Sequence, residues 1–438
     1  MKKLIALLLA VVMVFALAAC GAQPAAEQKP AEQSAEAPTE APAENPGEEA
    51  NTEPAETAVE PDLSYPIRIY SNSNSTERVT WLIEAAKEAG FTISLDTNEV
   101  ISGDTAAIQA ANENKDGDLI FGLNETRWSQ LIKGQYENLA IRDWTPTWAD
   151  QVGDFKYDGK AYGIVIQNVL MLYRNDELGT NGEELHFDHW ADVVNSGYTW
   201  YRQNKVGGTT NMNINSAMLY PFTDPASPAG GISIDGWKTL WKFCADGKFG
   251  GDDYKYGFDP LNKGDVAISE FYSSALYGKI DVAAEGSENP LLGTFEPENW
   301  ALADIKDGTY YIAEYIGILD KADRTPEQTA AVEAFAEWFG SAEVQAAWGE
   351  EFDSYPCNKA AADELYPDGI PAIYEIPNFA LNTVEGTDMS YAEYVAAHNS
   401  EWTNIMTNLG FYWKDAADAP AEPDWDNLDW ATLTQAAA

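Results

Sequence analysis

The period of the apolar and polar positions changes repeatedly from residue 64 onward. In "PIRIY", Ile67 and Ile69 alternate with polar neighbours as a half-buried strand does, whereas Val79, Leu82, Ile83 and Ala86 recur at helical spacing and Gly90 offers a stop. Between them lies "SNSNST", Ser71 to Thr76, a strand-to-helix turn of small hydroxyl and amide side chains. One such residue suffices to cap free backbone N–H groups, and a run of them also makes a loop able to hold a ligand against the helix N-terminus. Apolar runs at "DLIFGL" (118–123), "AYGIVI" (161–166), "VLMLY" (169–173), "DVAIS" (265–269) and "YIGIL" (315–319) predict buried strands. Trp237, Leu240, Trp241 and Cys244 share one helical face, and Val332, Phe335, Ala336 and Phe339 share another. The second helix opens on Thr325, Pro326 and Gln328, a capping box with proline in its first turn. Strands alternating with helices predict an α/β class with parallel or mixed sheets. The length from 64 to 438 exceeds one ordinary core, which predicts two lobes.

The first sixty residues have a different pattern. Lys2 and Lys3 precede an unbroken apolar run from Leu4 to Ala19, which ends in small residues before Cys20. The run is short for a spanning helix, which needs about 20 residues, and it resembles a bacterial lipoprotein signal. Cleavage before Cys20 and lipidation of its thiol are therefore expected, leaving the chain anchored outside the cytoplasm by acyl groups. Residues 21–63 are mostly Ala, Glu, Pro, Gln and Thr without an aromatic side chain, the composition of a disordered tether. Beyond it the chain keeps 23 basic and 60 acidic residues, a net charge of −37. That field argues against nucleic acid or an anionic membrane face as partner.

Motifs for catalysis are scarce. No G-x-S-x-G, H-E-x-x-H, Walker loop or dinucleotide fingerprint occurs. His186 and His189 in "HFDHW" have a spacing a metal pair could use, but a capped helix start with solvated imidazoles outweighs it. Beyond Cys20 only Cys244 and Cys357 remain. Two separate buried thiols outweigh a bridge, though the spacing leaves both open.

The layout of signal, tether, strand-loop-helix opening and two α/β lobes resembles the extracellular solute-binding proteins of ABC importers. Local segments narrow the resemblance to the group that includes ferric-iron, thiamine, phosphonate and polyamine binders. "GKAYGIVIQNVLMLYRNDEL" (159–178) looks like that group's crossover between lobes. "HFDHWADVVNSGYTWYRQNKVGGTTNMN" is similar to its W-x-D-L segment, strand and glycine-threonine turn. "GDVAISEFYSSALYGK" (264–279) matches the segment that carries metal-binding tyrosines in ferric binders, and residues 308–361 match most fully.

The resemblance implies a periplasmic-binding-protein-like fold (type II), with a ligand cleft between discontinuous lobes joined by crossover strands. Lobe 1 would take 64–166 and the return 281–345, lobe 2 would take 167–280, and 346–414 would form C-terminal helices packing across the lobes before an acidic tail at 415–438. It implies no enzyme, no cofactor and no metal. The partners it implies are a small-molecule solute, an ABC permease and its ATPase, with the chain a monomer held to the membrane through Cys20. Ligands of open α/β sheets sit where strand ends and helix N-termini converge. That selects Ser71, Asn72, Ser73 and Asn74, then Asn124 and Trp128, Gln167 and Asn168, and Thr209, Thr210 and Asn211. Glu270, Phe271, Tyr272 and Glu314 complete the implied site. Ferric binders use adjacent tyrosines at the place where this chain has Phe271-Tyr272, so an organic cation or polar neutral solute is favoured over ferric iron. Tyr310-Tyr311 is another adjacent pair and is expected to be structural. A surface glycan-binding lipoprotein and, more distantly, a secreted hydrolase are the alternatives.

Overall fold

Residues 59–101, 103–157, 159–202, 209–249, 258–273, 299–352, 354–369, 374–413 and 418–436 are described by the computed structural model. Cys20 and the expected tether up to residue 58 lie outside them. Strands β1 (Pro66–Ser71), β2 (Thr92–Leu95) and β3 (Leu119–Leu123) are parallel, with β1 between the other two. Helices α1 (Thr76–Glu88), α2 (Asp104–Asn114) and α3 (Glu125–Ile132) alternate with them or follow. The long strand β4 (Ala161–Arg174) is next, then α4 (Thr209–Leu219), α5 (Ile234–Asp246), β5 (Ile268–Tyr272), β6 (Trp300–Leu302) and β7 (Tyr311–Ile318). Helices α6 (Pro326–Phe339), α7 (Ala342–Phe352) and α8 (Tyr391–Asn408) close the chain's main elements. The sheet order is β6-β4-β7-β3-β1-β2, with β5 also paired to β4.

Two of the expected strands are one. "AYGIVI" and "VLMLY" run together as β4, because Gln167 and Asn168 between them pair with Ile312 and Tyr311 and keep the ladder unbroken. The first half of β4 pairs antiparallel with β7, and its second half pairs with β5 and β6. The apolar contacts divide at the same place. Ile164, Val165 and Ile166 belong to a core with Leu82, Phe121, Phe339 and Trp348, whereas Val169, Met171 and Tyr173 belong to another with Trp190, Trp237 and Trp402. On the way back, Tyr310 lies in the second core and Ala313 in the first. These are the two lobes, built on a mixed sheet that β4 threads.

The return to lobe 1 expected from Asp281 falls outside the described residues. Among the described residues, Ala301, Ala303 and Ile305 pack on the second core, and the passage back is β7. Residues 342–366 join the first core through Trp348, Tyr355, Cys357 and Ala362, while α8 joins the second and also abuts α3. Within the acidic tail, among the described residues, Trp425 and Trp430 are buried in the second core, and Asn404 and Asn408 donate to carbonyls of Leu433, Thr434 and Gln435. Thr325 and Gln328 form the expected capping box.

Candidate functional site between the lobes

The loop after β1 has several structural duties. Ile67 and Ile69 of β1 are buried, and the strand ends at Ser71. Ser75 caps α1 by accepting the Arg78 N–H at 3.4 Å, and Ser71 Oγ accepts the Ser73 N–H at 2.9 Å. Asn74 Nδ2 donates to the Ile101 carbonyl at 2.7 Å, while its buried Oδ1 has no protein partner among the described residues. Asn72 stands half-exposed. The loop crosses the end of β3 at Gly122, whose φ is +76°. A Cβ there would come to 2.9 Å from both Ser71 Oγ and the Ser73 nitrogen, so only glycine allows this approach.

Crossing β3 brings the loop to β7. Glu314 is 7% exposed and accepts from Gln167 Nε2 at 3.2 Å. Burial raises its carboxyl above the ordinary glutamate value, opposed by the positive charge of Arg78 and by a hydrogen bond from the Ser73 hydroxyl. Arg78 Nη1 donates to Ser73 Oγ at 3.0 Å. Its guanidinium lies 5.7 Å from the ring centre of Phe352 and 6.0 Å from that of Trp348. A carboxylate, a guanidinium, an amide and a hydroxyl therefore meet where the chain passes between lobes.

Beside this cluster, Asn124 caps α3 by accepting the Arg127 N–H at 3.1 Å, and Arg127 pairs with Asp104 at 3.1 Å. Glu125, wholly buried in the first turn of α3, accepts from the Ala313 N–H at 3.0 Å and the Tyr315 hydroxyl at 3.3 Å. Burial outweighs these bonds and pushes its carboxyl up to about 8. Thr126 and Tyr310 hydroxyls lie 3.4 Å apart across the lobes. Asn168 N–H donates to Ser273 Oγ at 3.0 Å.

Other residues selected from the sequence are placed elsewhere. Trp128 is wholly buried in the first core, its ring against Gly317. Phe271 packs with Leu170, Leu172, Tyr201, Leu261 and Val266 and stacks on Trp300 at 6.2 Å. Glu270 points to the opposite side of β5, into a cavity lined by Met171, Trp190, Trp200, Ile214, Met218 and Phe243. Burial there pushes its carboxyl up to about 8, and Oε1 has no hydrogen-bond partner among the described residues. Thr209, Thr210 and Asn211 open α4 and Tyr272 ends β5, and their side chains lie outside the description. The cluster thus gathers Ser71, Ser73, Gln167 and Glu314 around a residue the sequence reading passed over, Arg78. The signal was available, since an arginine in a helix's first turn opposes the helix dipole and needs another reason to be there.

The remaining candidates have plain structural roles. His189 opens the helical turn Trp190–Asn195 with its backbone N–H donating to Asp192 Oδ2 at 2.9 Å and its Nδ1 2.6 Å from Asp307, and His186 Nδ1 lies 3.0 Å from Asp304. Among the described residues no group of three or more His, Cys, Asp or Glu could hold a metal ion. Cys244 and Cys357 are free thiols buried in different cores. No described helix is long and apolar enough to cross a membrane.

Comparison with known proteins places this geometry. The family model for a bacterial extracellular solute-binding protein matches residues 81–378. A probable ABC transporter periplasmic-binding protein of Sinorhizobium fredii, y4fP, is 25% identical over 304 residues, covering 68% of this chain and 76% of that protein. The ferric iron-binding protein A of Mannheimia haemolytica, solved in an open conformation, superposes with a TM-score of 0.56 at 12% identity, over 80% of this chain and all of the other. The Trichodesmium protein IdiA (FutA), solved with iron and citrate, does so at 0.55 and 12% identity, over 79% and 100%. At such identity these two structures attest the fold, that of type II periplasmic binding proteins. The chain belongs to the bacterial extracellular solute-binding proteins, as a binding component of an ABC importer and not an enzyme.

Proposed function

We propose that the protein captures a small polar solute between its lobes and delivers it to an ABC permease and ATPase while anchored to the membrane through a lipid on Cys20, acting as a monomer. The observation that carries this reading is the polar cluster of Ser73, Arg78, Gln167 and Glu314 at the passage between two separately packed cores. Strands β4 and β7 absorb small backbone rotations at Gln167–Asn168 and Tyr311–Ile312 while each core stays packed, which suits hinge closure. A solute shifts that equilibrium by binding the closed form better than the open one. An organic cation or a neutral polar molecule is favoured over ferric iron. Glu314 offers a carboxylate to the first and amides and hydroxyls serve the second, whereas Phe271 supplies no metal ligand.

Small-angle scattering tests the hinge. The full chain, stripped of small molecules, is expected to lose radius of gyration when equilibrated with a small-molecule filtrate of rich growth medium. An unchanged profile overturns closure. The anchor is tested separately: Cys20→Ala is expected to move the protein from the membrane fraction to the soluble extracytoplasmic fraction, because a single thiol carries the lipid. Membrane fractionation that does not change removes Cys20 as the anchor.

A further inference from the structure

Arg78 is unusual for this chain. With 71 acidic residues against 26 basic ones, carboxylates are abundant, and Arg68, Arg127, Arg142, Arg174 and Arg324 each have one within 4 Å. Arg78 makes no ion pair among the described residues; Nη1 has the Ser73 hydroxyl, and Trp348 and Phe352 flank the guanidinium. Glu314 is equally unusual. It is a nearly buried carboxylate that accepts from the neutral Gln167 amide at 3.2 Å, with no cation within 4 Å among the described residues. Opposite charges thus stand at one passage between the lobes, Arg78 on the Ser73 hydroxyl and Glu314 on the Gln167 amide, without pairing with each other.

Burying an unpaired charge is unfavourable unless a partner arrives. Arg78 presents a planar fork of donors, which matches a carboxylate. Glu314 accepts hydrogen bonds and matches an ammonium or other cationic group. We infer that the solute is a zwitterion, its carboxylate received by Arg78 and its cationic group by Glu314. This rests on the proposed solute-binding reading and sharpens it, since the cation favoured above gains an acidic end.

Equilibrium dialysis of the full stripped chain against an equimolar mixture tests the inference. The mixture contains the standard amino acids and glycine betaine, the matching amines and matching carboxylic acids, and neutral monosaccharides, with retained compounds identified by mass spectrometry. Zwitterions are expected to be retained and the one-ended analogues not. Arg78→Gln and Glu314→Gln are each expected to weaken that retention by about tenfold or more, the scale of one hydrogen-bonded charge, while Arg78→Lys loses less because it keeps the charge. Melting temperatures of the free variants identify any that fail to fold. Retention of amines, acids or sugars in preference to zwitterions overturns the inference and leaves solute binding standing. Retention of nothing overturns it too, and if scattering is also unchanged in medium filtrate, the solute-binding proposal falls with it.

Discussion

Replacing Glu270 by leucine is expected to raise the melting temperature at pH 8, with the gain shrinking as the pH is lowered to 5. The side chain ends in an aromatic and thioether-lined cavity of the second lobe, 5% exposed, with Oε1 unpartnered among the described residues. Burial pushes its carboxyl up to about 8 from an unfolded value of about 4.3. Between those two values the folded chain holds a proton that the unfolded chain has released. Unfolding therefore releases that proton in this window, and stability is fully present below the unfolded value and lost as pH rises toward the folded one. Each tenfold change in proton affinity corresponds to about 1.4 kcal/mol, so the loss at pH 8 is on the order of 4 kcal/mol, which leucine removes. Leucine also removes a polar group that makes no compensating bond, so some gain persists in acid. Calorimetric scans of both proteins from pH 5 to 8 provide the measurement. A gain that is constant across that range, or a loss at pH 8, would mean that Glu270 is ionised and paired.

Gly122→Ala is expected to destabilise the first lobe by roughly 2 to 5 kcal/mol and to abolish solute retention. Two effects add. A left-handed φ of +76° is unfavourable for a residue with a Cβ by about 1 to 2 kcal/mol. The methyl would also meet Ser71 and Ser73 at 2.9 Å, and overpacking of a tight site costs about 1 to 3 kcal/mol. Relief requires the Ser71–Asn74 loop to lift from the end of β3, which takes Ser73 away from Arg78 and Glu314. Gly134→Ala supplies the control, since its φ is +72° but nothing lies within 4 Å of the added Cβ. It should show the backbone part alone, with binding intact. Equal losses in denaturant unfolding of the two variants would show that the loop does not press on β3.

Elements with a strong local signal were legible in the sequence. Thr325 with Pro326 and Gln328 starts a helix whatever surrounds it, and the apolar faces of α5 and α6 are those their spacing gives. Signals that depend on a neighbour were weaker. Gln167 and Asn168 look like a break between two strands, and only the facing residues of β7 show them to be a continuous ladder. Ile83 has helical spacing but is 37% exposed, because the apolar stripe of α1 is narrower than its pattern. Whether the acidic, Trp-containing tail packs is open from the sequence; in the structure Trp425 meets Trp241 edge-on and Trp430 is buried in the same core, which no local pattern announces. Of the residues in the proposed cluster, the loop and Gln167 were selected as strand-end and crossover positions, Glu314 only as part of the implied site, and Arg78 not at all. The directions of Phe271 and Glu270 did not follow from the sequence, since alternation says that two neighbours face opposite sides without saying which side is outside.

The division of β4 between two cores governs the order in which the chain can complete itself. When residues 64–174 have emerged, β3 has β1 on one side and nothing yet on the other, because its second partner is β7, nearly two hundred residues further on. The second lobe's polypeptide must be delivered first. Until then Leu119–Leu123, apolar throughout save Gly122, remains an open edge of the kind that recruits foreign strands. So large a sequence separation makes sheet closure slow, and it closes both lobes to vectorial, one-at-a-time maturation. A chain cut at either passage leaves an incomplete sheet behind, so neither lobe exists as a separable piece of the polypeptide.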